Sequence, residues 1–297
     1  MAKRMLTCIF ILLSAINAYS QKPKGSDTKK VVFIAGTDSH GKGEHEHNGG
    51  STLLSEKLKE GWPGVETWVS RNGWPGDTSV LSGADAIVIY CDGGGDHMLI
   101  PHFAGIDKLA KKGVGLVMLH FTLEIPRETG GDYFKNWIGG YFETDWSVNP
   151  VWTAEFTTLP DHPITRGVKP FAIKDEWYYH LRFTDRMKYV TPILQTLPPA
   201  STLNREEGTH TNNKFVRQEV LVDNKPQILA WAYERPGGGR GFGFTGGHIH
   251  ANWKDDNFRM IVLNAIAWTA QKEIPDGGIK TKTPADGELE SLTKKVN

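Results

Sequence analysis

Three short apolar runs, residues 31–35, 86–90 and 115–119, constrain this chain more than any other feature. None alternates with polar residues, and each is bounded by Gly, Asp or His, as expected of strands covered on both faces. Between them the spacing turns helical. Leu53, Leu54, Lys57 and Leu58 predict one helix, stopped by Gly61 and Pro63, and Phe103, Ile106, Leu109 and Ala110 face inward on another. Residues 65–69 alternate and read as a further strand. The resulting β-α-β-β-α-β order predicts an α/β fold with a mostly parallel sheet.

In such a sheet the carboxyl ends of the strands share one edge, where the chemistry of open α/β folds is found. Three of these strands run into polar loops. Residues 36–50, GTDSHGKGEHEHNGG, carry His40, His45 and His47; residues 91–97 carry Asp92 and His97; and residue 120 is itself His. Later the chain is less regular. Residues 151–157 look like a strand, and 201–213 like an exposed polar loop. Residues 227–234 and 241–245 read as paired strands around Pro236-Gly237-Gly238-Gly239, the second ending at Gly247-His248-Ile249-His250. A closing helix spans about 255–270, and the polar, Lys-rich 273–297 reads as a flexible tail.

The first 20 residues have the layout of a secretory signal peptide. Lys3 and Arg4 precede an apolar stretch that ends at Ala18-Tyr19-Ser20. The stretch is short for a membrane span, so no stable membrane insertion is expected. Cleavage would leave residues 21–29 as a linker, 30–272 as the folded domain, and a secreted or periplasmic location. It would also remove Cys8 and leave Cys91 as the single cysteine, so no internal disulfide forms. Lys+Arg and Asp+Glu both number 34, which gives no electrostatic reason to expect nucleic acid. A small neutral ligand fits better, and a homo-oligomer is left open.

His45-Glu46-His47 is not H-E-x-x-H, so a helix-borne zinc-protease site is excluded. Imidazoles with a carboxylate nonetheless suit a zinc-like ion with an open position. His40, His45 and His248 are the candidate metal ligands, and His120, Glu176 and His45 the candidate acid–base residues. Asp92, Trp177, Tyr178, Trp253 and His47 are candidates for a sugar pocket, because aromatic faces stack on sugar C–H while polar groups bond the hydroxyls. The alternative for each is an ordinary role: core filling for the aromatics, a solvated loop or a satisfied core position for the histidines. Gly241-Phe242-Gly243-Phe244-Thr245-Gly246 matches G-x-G-x-x-G formally, but its glycines alternate inside a strand with no βαβ unit, so no nucleotide is expected.

Several motifs in order resemble the ThuA-like (trehalose-utilisation-type) family. They are Gly36…Ser39-His40-Gly41…Gly43-Glu44-His45-Glu46-His47, Tyr90…Asp92-Gly93-Gly94, Gly115-Leu116-Val117…His120, Trp137-Ile138-Gly139-Gly140, His162-Pro163-Ile164-Thr165, Asp175-Glu176-Trp177-Tyr178 and Arg240-Gly241-Phe242-Gly243…Gly247-His248. The resemblance covers about 30–272. It implies a flavodoxin-like three-layer α/β/α fold of the class I glutamine amidotransferase-like type, without the amidotransferase cysteine. It also implies sugar metabolism, of glycosides oxidised to a ketone at C3. A C3 ketone acidifies the C2 proton, so a base near neutral pKa, His120 or His45 with Glu176 as partner, would start isomerisation or elimination. The competing expectations are a periplasmic sugar-binding protein without catalysis and a metal-dependent hydrolase of unoxidised glycosides.

Overall fold

The computed structural model describes residues 28–285 and 287–294. The expected signal peptide, with Cys8, and most of the linker lie outside the described residues. Along the chain the elements are β1 (Lys30–Ala35), α1 (His47–Gly61), β2 (Glu66–Ser70), β3 (Ala86–Tyr90), α2 (Phe103–Lys111), β4 (Gly115–Leu119), α3 (Asp132–Ile138), β5 (Gly140–Tyr141), β6 (Val151–Phe156), β7 (Phe171–Glu176), β8 (Arg182–Phe183), β9 (Val190–Thr196), α4 (Lys214–Arg217), β10 (Gln227–Glu234), β11 (Arg240–Phe244), α5 (Asp256–Thr269) and α6 (Glu288–Lys294).

The main sheet has the order β2-β1-β3-β4-β11-β10-β9. The first five strands are parallel, and β10 and β9 extend the sheet antiparallel. Strands β3 and β4 are buried along their whole length, whereas β2 at the edge alternates between exposed and covered residues. This explains the two sequence patterns: an inner strand meets a helix layer on both faces, an edge strand on one. Alternate residues serve opposite cores. Val31 and Phe33 pack with the α1 and α5 layer, and Val32 and Ile34 with the α2 and α3 layer. The architecture is therefore three layers, α/β/α. Helix α5 lies close against β4: a Cβ on Gly115 would sit 2.3 Å from the Thr269 carbonyl oxygen. Asp255 caps α5 by accepting the amides of Asn257 and Phe258, both at 2.9 Å.

Three expectations change. The residues after 272 are not a free tail over their described part. Ile274, Ile279, Leu289 and Leu292 are buried, Asn264 Oδ1 accepts the Ile279 amide at 2.7 Å, and α6 packs on α1. Few apolar residues are spread through a polar stretch there, so composition hides a segment that docks by a handful of side chains. The 201–213 segment is likewise shaped, since Thr202 and Leu203 are buried and Asn212 donates to the carbonyls of Leu203 and Arg205 at 2.9 Å. The proposed aromatic platform is largely core. Trp177 is enclosed by Phe156, Phe244 and Phe258, and Trp253 by Tyr90 and Phe258, each without exposed surface. Neither has a face to offer a sugar.

Replacing Leu292 with Ala should lower the stability measured by urea unfolding by about 2–3 kcal/mol, as for a buried leucine elsewhere; an unchanged midpoint would contradict the docking of α6. Burial also pushes His97 and His250 down from 6.5 to about 4. The unfolded chain then takes up protons near pH 6.5 that the folded chain refuses. Stability should therefore fall as pH drops from 6.5 toward 4, by up to about 1.4 kcal/mol per pH unit for each group. Urea midpoints at pH 7 and pH 5 test the sign.

Candidate active site

The strand order reverses between β1 and β3, and the segments leaving β1, β3, β4 and β11 all emerge at that edge. The loop after β1 is fixed by backbone pairing to the segment after β11. The His45 amide bonds the His248 carbonyl at 3.2 Å and the His250 amide bonds the Gly43 carbonyl at 2.8 Å. Within this frame His40, His45 and His120 have φ of 64°, 43° and 54°, the left-handed region that non-glycine residues seldom occupy. An isolated loop would relax from it, so the surrounding contacts hold these rings in place.

Asp175 organises the β11 side. It is fully buried at the end of β7, and its carboxylate accepts the consecutive amides of Gly247, His248 and Ile249 at 2.8, 3.1 and 3.2 Å. The Asn252 side chain adds a fourth donor at 3.0 Å. Gly247 has φ +117°, which permits the turn that lines up these amides. The turn presents His248 toward Glu176, the next residue after Asp175, with Nδ1 3.3 Å from Oε2.

There His45, His120, His248 and Glu176 each place one ligand atom within 4.8 Å of the others. His45 Nε2 lies 2.9 Å from His248 Nδ1 and 3.1 Å from His120 Nε2. Glu176 Oε2 lies 3.3 Å from His248 Nδ1 and 3.4 Å from His120 Nε2. The outer partners fix two tautomers. His45 Nδ1 donates to Asp92 at 2.9 Å, and His120 Nδ1 donates to the Thr245 carbonyl at 2.8 Å. In their neutral forms both rings therefore aim an Nε2 lone pair at the shared point, where lone pairs repel unless a proton or cation lies between them.

Electrostatics agree with this reading. Burial holds His45 down to about 3, so it is neutral at ordinary pH. Burial would raise Asp92, but the bonds from His45 and Ser39 win and hold it at about 2. Burial likewise works to raise Glu176, and hydrogen bonds with His120 and His248 bring it well below the usual carboxylate range. For His248, burial lowers the pKa and the Glu176 carboxylate more than offsets it, so the net shift is upward. Tyr178 is kept protonated by burial and sits with its hydroxyl 3.1 Å from His120 Nε2. Three imidazoles and a carboxylate, two of the rings oriented by outer acceptors, are a donor set that fits a zinc-like cation.

The structure thus gathers His45, His120, Glu176 and His248 from the sequence candidates and places Asp92 and Tyr178 behind them. It separates two others. His40 is exposed, its ring 3.8 Å from that of His45, and its Nδ1 contacts Ser39 Oγ at 3.0 Å. It groups with His45 and Asp92 at the rim and not with the buried four. His47 is the first residue of α1 and fully buried, its Nδ1 donating to the Thr37 carbonyl at 2.9 Å. The His45-x-His47 pair is not extended, so the two rings do not share a ligand position. Ser39 and Asp175 were missed; in Asp175-Glu176 nothing local tells which carboxylate faces backbone amides and which the cavity. A cavity of about 360 Å³, lined by Glu176 with Asn149, Pro150, Val151, Ser201, Thr202 and Arg205, opens beside the cluster.

A family model described as ThuA, trehalose utilisation, matches residues 31–269. Among solved structures, a ThuA-like protein from Bacteroides uniformis superposes with a TM-score of 0.57 at 16% identity, covering 88% of this chain and 98% of that one. A second, from Parabacteroides merdae, gives 0.53 at 16% identity, covering 87% and 94%. At that identity these structures speak to the fold. No curated protein matches the chain.

Replacing Asp175 with Ala strands three buried amides at once. The expected loss is at least about 3 kcal/mol of stability in urea unfolding, with the His248 ring resonance broadened in NMR; a loss under about 1 kcal/mol would mean that the turn holds itself.

Proposed function

Because the chain belongs to the ThuA (trehalose utilisation) family, we propose that it is an exported carbohydrate-processing enzyme acting on 3-keto-glycosides with a divalent metal ion. The observation that carries this reading is the convergence of fixed imidazole lone pairs and the Glu176 carboxylate on one point beside a cavity of sugar-like size. His45, His120, His248 and Glu176 would hold the ion. When bound, such an ion supplies Lewis acidity toward a carbonyl oxygen or lowers the pKa of a water molecule.

The remaining work falls to residues around the four. Since the lone pairs of His45 and His120 point inward, neither is free as a base once the ion is held, and that role passes to the rim. His40 is suited to it: Nδ1 is engaged by Ser39, and the exposed ring leaves Nε2 for the C2 proton of the substrate. Asp92 keeps His45 in the tautomer that presents Nε2 inward. Tyr178, protonated and buried at the back of the cluster, packs its ring and hydroxyl against His120 and so helps hold that imidazole in place. The C2–H electron pair enters the enolate of the C3 ketone, and departure of the C1 oxygen with its bonding pair completes an elimination.

Chelator-dialysed protein should leave both ordinary and 3-keto-glucosides unchanged by mass spectrometry. Adding zinc or manganese should restore turnover of the 3-keto substrates alone. Glycosides recovered unchanged under every condition would favour a binding protein, and turnover of unoxidised glycosides a hydrolase. Replacing His120 with Ala should abolish both turnover and metal retention. Replacing His40 with Ala should lower kcat by about 100-fold or more while the metal stays bound.

A further inference from the structure

Outside the four-residue cluster the structure contains a histidine–carboxylate pair that the sequence does not suggest, built from residues 86 positions apart. Glu124 lies just beyond the turn that begins at His120, and His210 at the tip of the 201–213 segment. Glu124 is 3% exposed, yet its Oε1 accepts His210 Nε2 and the Thr144 hydroxyl, each at 2.8 Å. A carboxylate buried this deeply needs its partners, and one of them is an imidazole from a surface loop.

That loop is built to deliver the ring. His210 has φ +66°, the left-handed region shared with His40, His45 and His120. It is held there by the Asn149 amide on its carbonyl at 3.0 Å, by the Gly208–Asn212 closure, and by the Thr209 hydroxyl on Asp145 at 2.6 Å. The imidazole packs on Phe142, whose other neighbour is Tyr178, the residue bonded to His120. One chain of ring contacts therefore links the pair to the four-residue cluster. Asn149 and Arg205 belong to the wall of the 360 Å³ cavity on which Glu176 opens, and the Arg205 guanidinium lies 3.4 Å from the His210 carbonyl.

Resting on the function proposed above, we infer that His210 is the acid of the reaction, donating a proton to the departing C1 oxygen, with Glu124 as its positioning residue. Nε2 is committed to Glu124, so Nδ1 is the nitrogen that meets the substrate, and a third of the side chain is exposed to do so. As the C1–O bond breaks, its electron pair stays with oxygen, the Nδ1 proton completes the hydroxyl of the released alcohol, and the neutral ring regains a proton from water. The charged groups facing the ring favour its protonated form: Glu124 first, then Glu176 and Asp145, with burial opposing them, and the net pKa is raised. A ring whose protonated form is favoured by its neighbours suits an alkoxide leaving group, which must take up a proton as it departs.

The test compares methyl and 4-nitrophenyl 3-keto-β-glucosides with the zinc-loaded full chain, since an alkoxide needs a proton on departure and nitrophenolate does not. For His210→Ala and His210→Asn, the fall in kcat should be at least about 30-fold larger on the methyl than on the nitrophenyl substrate, within the range of a lost general acid. Glu124→Gln should lower kcat on the methyl substrate with KM little changed, move the alkaline limb of its pH profile to lower pH, and be partly restored in Glu124→Asp. Equal losses on both substrates, or no loss on either, would overturn the assignment while leaving the proposed function standing. A wild-type chain inert toward both would instead remove the proposed function and this inference together.

Discussion

The arrangement depends first on a buried carboxylate that faces backbone amides. Asp175 gathers three successive amides from the turn after β11 and so decides where His248 points. The same turn pairs with the loop after β1, which carries His45. One acceptor thus couples two strand ends that no local preference would bring into register. Its neighbour Glu176 then reaches the cavity, because successive residues of a strand face opposite ways. A shift of one residue in β7 would take both carboxylates away from their partners at once.

Around this anchor the site is stabilised from outside inward. Asp92 and the Thr245 carbonyl each consume the outward N–H of one ring, which leaves the inward lone pairs in opposition. Opposed lone pairs repel, and favourable contacts elsewhere must hold the cluster together. They do: β1, β3 and β4 behind it are almost wholly buried, and left-handed backbone at His40, His45 and His120 is imposed by neighbours packed on a rigid sheet.

Much of the scaffold was legible because it is set by short-range pattern. The runs at 31–35, 86–90 and 115–119 lie within a residue of β1, β3 and β4, and alternation in 65–69 marked the strand that the fold places at the edge. The same rules failed where few residues carry the contact. Leu289 and Leu292 dock α6 from a polar stretch, and Thr202, Leu203 and Asn212 give shape to a segment that reads as solvated. The tryptophans misled for a related reason: Trp177 follows Glu176 in sequence, but its ring lies among Phe156, Phe244 and Phe258 on the far side of the strand from the cavity.

By itself the sequence determined the strands, the helices between them, and the edge at which His40, His45, Asp92, His120 and His248 would emerge, because periodicity and strand direction are local properties. Only the tertiary structure decided which of these meet. It placed His45, His120, His248 and Glu176 on one point, moved His40 to the rim, buried His47, and brought Glu124 to His210. Those pairings rest on hydrogen bonds between residues tens to hundreds of positions apart, whose geometry is fixed only when the whole sheet and its crossing loops are in place.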